Sequence, residues 1–159
     1  MEQRDPSVER QVWQRVFARP QTREEGDALR MLALGVMEAA EDYRRLANSL
    51  TGKPGELARR LWEGERENLA CLRGMALLSD GKDTFPRQIR TPAAPPEKLL
   101  RKSFYRTRRA MTEYAARMLD GEFGEVFRKM SQREGEHCAL IVQLLGQLPP
   151  EEPGRPAGK

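Results

Sequence analysis

Glu65-Arg66-Glu67-Asn68 and Glu134-Gly135-Glu136-His137 are the stretches whose reading decides the fold. Each interrupts a run of apolar residues: Leu57, Leu61, Glu65, Asn68, Leu72 and Met75 in the first, and Phe123, Phe127, Met130, Glu134, His137, Ile141 and Leu144 in the second. Steps of three and four residues put each set on one face of a helix. Two inward seams therefore carry polar groups where a plain bundle would carry leucine or isoleucine.

Working outward, a third stripe runs Leu29, Leu32, Val36, Ala39, Tyr43, Leu46 and Leu50, behind the capping-box pattern Thr22-x-x-Glu25. A turn, Thr51-Gly52-Lys53-Pro54-Gly55, separates it from the Glu65 helix, with Pro54 in the first turn, where proline is tolerated. That helix ends near Asp80-Gly81. From there to Glu97 the chain carries Pro86, Pro92, Pro95 and Pro96, too many for a helix and suited to a long crossover. The next stripe is Leu100, Phe104, Thr107, Met111, Tyr114 and Met118, closed by Asp120-Gly121, after which the His137 helix begins. Val36-x-x-Ala39-x-x-x-Tyr43 repeats as Thr107-x-x-Ala110-x-x-x-Tyr114, so the order is hairpin, crossover, hairpin, a duplicated unit.

The spacing predicts an all-α protein: a short extra helix over 7–18, ending at Pro20 and carrying Val8, Val12, Trp13, Val16 and Phe17, then a four-helix bundle. Residues 1–21 form the N-terminal helix and linker, 22–148 the bundle and 149–159 a disordered tail rich in proline, glycine and charge. A chain of 159 residues encloses a core without disulfides. With 38% hydrophobic, 33% charged and 6% aromatic residues, it suits amphipathic helices better than sheets.

The formal charge of +4, from 28 basic and 24 acidic residues, does not call for nucleic acid. No apolar run approaches a membrane span and Met1-Glu2-Gln3-Arg4-Asp5 lacks the apolar core of a secretory signal, so a cytoplasmic protein with no membrane partner is expected. Cys71 and Cys138 belong to no Cys-x-x-Cys pair and read as reduced thiols. The densest charge run, Lys98, Arg101, Lys102, Arg106, Arg108 and Arg109, reads as a solvated helix face.

The chemistry lies in the seams. A carboxylate in an apolar interior costs several kcal/mol unless paired, protonated or bound to a cation. Facing glutamates at 65 and 134 therefore need an explanation, and in Glu134-x-x-His137 both side chains can reach one ion. A hydrogen-bonded cluster with Asn68, Thr107, Tyr43 or Tyr114 is the other solution.

The paired hairpins, Tyr43 and Tyr114, and Glu134-x-x-His137 resemble the rubrerythrin branch of the ferritin-like superfamily over roughly residues 25–147. The resemblance implies a two-iron bundle with a glutamate seven residues before each tyrosine and two Glu-x-x-His motifs. Carried over, Glu65 and Glu134 match the bridging glutamates and His137 one terminal histidine, which makes Glu65, Glu134 and His137 the candidate metal ligands. Asn68 stands where the second histidine belongs, and Val36 and Thr107 where the terminal glutamates belong. His137 is the only histidine, and Glu38, Glu41 and Glu113 lie off the stripes, so a full diiron centre is not expected.

Two functions stay open: a non-catalytic scaffold or interaction module, with a homodimer as one such assembly, or a metal-binding, oxidoreductase-like protein with one iron or zinc ion handling peroxide or oxygen. No residue is assigned a catalytic role.

Overall fold

The computed structural model describes residues 23–82, 84–119 and 121–149. The expected helix over 7–18, Thr22 of the capping box and the tail beyond residue 149 lie outside the described residues. Those described form helices α1 (Arg23–Ser49), α2 (Gly52–Asp80), α3 (Pro96–Ala116) and α4 (Gly124–Gln147), with a 3-10 turn at Gly121–Phe123 and no strand. Among the described residues no helix is long and apolar enough to cross a membrane.

The helices pair as two antiparallel hairpins, α1 with α2 and α3 with α4, which meet chiefly through α2 and α4 and only thinly through α1 and α3. Gly81 closes α2 in the left-handed region at φ 70°, returning its N–H to the Leu77 carbonyl, a conformation that costs glycine least. Beside that end, Arg30 near the start of α1 grips Asp80 with two bonds of 2.7 Å. A guanidinium fork on a carboxylate fixes direction as well as distance.

One helix end departs from the sequence pattern. α3 stops at Ala116, and Met118, expected on its inner stripe, is 37% exposed. The Met118 N–H bonds back three residues to Ala115, and the tightened turn swings the chain towards α4, carrying Met118 off the stripe. Phe123, expected at the head of the last helix, lies in the 3-10 turn and is buried.

Two apolar clusters make up the core. Tyr43, Leu46, Leu57, Leu61, Leu100, Ile141 and Leu144 form one, and Leu29, Ala33, Val36, Leu72, Met75, Tyr114, Phe127 and Met130 the other. Between them in every helix the stripe passes through a middle layer, and there Glu65, Asn68, Thr107, Glu134 and His137 are all buried.

Candidate metal centre

The metal-competent side of the layer is built by α2 and α4. Glu65 faces α4, and its Oε1 lies 3.3 Å from His137 Nδ1, with Glu134 Oε2 3.8 Å from the same nitrogen. One donor atom from each of Glu65, Glu134 and His137 falls within 4.8 Å of the other two, so the group could hold one metal ion. Glu134 Oε2 and His137 Nδ1 are buried with no hydrogen-bond partner. Leaving such atoms unpaired costs about 1–3 kcal/mol each. A cation among the three residues would satisfy both.

The other Glu134 oxygen is occupied. Asn68 Nδ2 donates to Glu134 Oε1 at 2.6 Å, while the Asn68 carbonyl oxygen accepts from Arg133 Nη1 at 2.6 Å. Arg133 reaches on to Glu67 at 2.7 Å near the surface. Asn68 thus ties one Glu134 oxygen to a guanidinium and leaves the second free. Burial, with the Glu65 charge adding to it, pushes the Glu134 carboxyl up to about 9. Without a cation, burial favours the protonated form of that carboxyl.

His137 has room because of Gly64. A β-carbon there would overlap Nε2 of the imidazole, so only glycine lets the ring lie against the α2 backbone. Sequence reading passed over Gly64, although a glycine inside a helix costs about 1 kcal/mol relative to alanine and asks for a packing reason.

Thr107 is turned to Tyr43, hydroxyl to hydroxyl at 3.3 Å, and Val36 packs in the second apolar cluster. Burial raises both the Tyr43 and the Tyr114 phenols, which stay neutral. Glu38 is exposed, Glu41 pairs with Arg44 and Arg45, and Glu113 pairs with Arg109. Cys71 and Cys138 are free thiols, half-buried, and burial raises Cys138 away from the thiolate.

One member of the basic run is not solvated. Arg106 donates to Asp42 at 2.9 Å and to Ser103 at 3.1 Å, and Asp42, 2% exposed, also accepts from Thr91 of the crossover at 2.7 Å. The clamp joins α1, α3 and the crossover. Asp42 and Arg106 directly precede Tyr43 and Thr107 in the sequence. Arg101 and Arg109 instead pair with Glu97 and Glu113 on the solvent face, as the run suggests.

Between α1 and α3 lies a groove of about 410 Å³ whose lining includes Val36, Thr107, Arg106, Glu113, Glu65 and Glu134. No family model, curated protein or solved structure matches the chain. Glu65, Glu134 and His137 could hold one ion; Val36 has no donor, the Asn68 amide is bonded to Glu134 and Arg133, and Thr107 to Tyr43.

Proposed function

We propose that the chain is a ferritin-like, rubrerythrin-related bundle that holds a single iron or zinc ion between Glu65, Glu134 and His137. The observation that carries this reading is the pair of buried, unpartnered atoms, Glu134 Oε2 and His137 Nδ1, beside Glu65. Two carboxylates cancel the charge of a divalent ion, and an imidazole with two carboxylate oxygens suits zinc or ferrous iron. When bound, the ion would supply Lewis acidity and, as iron, redox chemistry towards oxygen or peroxide. Asn68 and Arg133 would orient Glu134 through the oxygen that the ion does not use. Gly64 would let the His137 ring reach the layer.

Metal analysis of the protein purified without a metal-affinity tag tests this reading. Content near one ion per chain is expected. Content near two irons after anaerobic reconstitution would defeat the single-ion site, and content near zero would favour a metal-free scaffold. One observation supports that second reading: Asn68 donates to Glu134 and accepts from Arg133, so the layer is partly satisfied from within, and burial, which favours the protonated Glu134 carboxyl, lowers its charge without any ion.

A further inference from the structure

We infer that the solvent face of the α3–α4 hairpin docks an acidic amphipathic helix of a partner protein, which seats an apolar side chain between Tyr105 and Val142 and lays its carboxylates on the cations of α3. This surface shares no residue with the group of Glu65, Glu134 and His137. It therefore stands with or without an ion in the polar layer.

Lys98, Lys102, Tyr105 and Arg109 follow one another along α3 at steps of four, three and four, and Arg101 and Arg108 lie one turn to either side of Tyr105. All six are exposed. Glu97 and Glu113 neutralise Arg101 and Arg109. Among the described residues Lys98, Lys102 and Arg108 have no ion-pair partner. Three charges on one face are thus open to an anion.

The same face carries apolar surface. Tyr105 is 72% exposed, yet its ring is braced edge-on by Phe104, with 6.1 Å between centroids and 78° between planes. Val142 of α4 is 57% exposed. Together with Phe104, Leu145 and Arg101 they line a groove of about 280 Å³ that has no acidic side chain. A lone exposed apolar residue is ordinary, but adjoining ones drawn from two helices form a patch that water solvates poorly. A held aromatic ring rimmed by arginine is the kind of residue that carries binding energy at interfaces.

These two features select the partner. An amphipathic helix meets both at once, with apolar anchors at steps of three and four and carboxylates flanking them. From Lys98 to Arg109 α3 rises about 16 Å, about three turns of such a helix. A phosphate backbone would use the cations and leave the groove empty. A bilayer surface would likewise leave the concavity between the two helices unfilled.

Fluorescence anisotropy of the full chain with a labelled acidic peptide, leucine at helical steps of three and four and glutamate elsewhere, tests the inference. Saturable binding with a Kd in the micromolar range is expected, weakening as salt is raised. The same peptide with lysine for glutamate should not bind. Tyr105→Ala and Val142→Asp should each weaken the acidic peptide by roughly tenfold or more, and Lys98→Glu combined with Lys102→Glu by at least as much. All four positions are exposed, so the fold should persist in each variant, which circular dichroism checks. No saturable binding below about 1 mM, equal binding of the lysine peptide, or undiminished binding by the Tyr105→Ala and Val142→Asp variants would overturn the docking surface. So would tighter binding to a DNA duplex or to phosphatidylserine vesicles that is lost in the double lysine variant, which would assign the same cations to phosphate.

Discussion

The two sides of the polar layer are made from helices of similar length and pattern, yet one is closed and the other open. On the α2–α4 side, Glu65, Asn68, Glu134 and His137 interlock, Arg133 bonds to Asn68, and a glycine lets backbone and ring touch. On the α1–α3 side, Val36 and Thr107 offer no charge, the helices touch thinly, and a groove runs between them. What holds that side is one clamp at its edge, Asp42 with Arg106 and Thr91. The difference teaches that a donor set contributed by one helix pair can be packed tightly while the opposite pair leaves access.

The largest test of the contrast strikes the clamp. Removing one partner of a buried ion pair costs about 3–5 kcal/mol, and Asp42→Ala should approach the lower end of that range in urea unfolding because Arg106 loses its counter-ion and Thr91 its acceptor. A loss below about 1 kcal/mol, the worth of an ordinary surface pair, would show that the α1–α3 side does not depend on it.

Next comes the same substitution on either side. Gly64→Ala should destabilise by about 1–3 kcal/mol, the usual cost of overpacking, since its β-carbon collides with His137. Gly35→Ala meets open space and should stabilise by up to about 1 kcal/mol from helix propensity alone. Denaturation midpoints that shift in the same direction would break the contrast between closed and open sides.

The third test uses pH. Glu134, lifted from an ordinary 4.5 to about 9, keeps in the folded metal-free protein a proton that the unfolded chain has already released. Its contribution is complete below about 4.5 and is lost as pH rises towards 9, with a slope of at most about 1.4 kcal/mol per pH unit. Saturating zinc should flatten that slope, because the ion replaces the proton. Urea midpoints between pH 5 and 9, with chelator and with zinc, measure the difference; a metal-free protein that grows more stable across that range would contradict the protonated Glu134.

The smallest effect lies at the outer end of the closed side. Glu67 is 66% exposed where it meets Arg133, so Glu67→Gln should change stability by about 0–1 kcal/mol, as surface pairs do. A thermal scan that shows a larger loss would mean that Glu67 helps hold the Arg133–Asn68 contact in place.

The seams were legible from sequence because helical spacing is local: every residue of the Glu65 and His137 stripes is buried. Glu65, Asn68, Thr107, Glu134 and His137 stand together because the repeat put them at one depth. Arg133 and Asp42 were not legible. Their roles depend on how helices distant in sequence approach, 65 residues apart for Arg133 and Asn68 and 64 for Asp42 and Arg106, and no spacing rule reaches that far. The end of α3 was misread for a related reason, since Met118 fits the stripe but the chain must already be turning back there.

The layered core also bears on how the two hairpins find one another. Because their sequences repeat, the halves present similar ridges of leucine and tyrosine, and ridges alone tolerate more than one docking alignment. A slip of α4 along α2 by one turn, about 5.4 Å, would drive Glu134 among Leu72 and Met75 or among Leu57 and Leu61, and would strand Asn68 without its acceptor. Polar groups confined to one level therefore act as a vernier mark, admitting a single alignment with or without an ion. A bundle gauged in this way can change what it carries at its middle without losing the alignment of its halves.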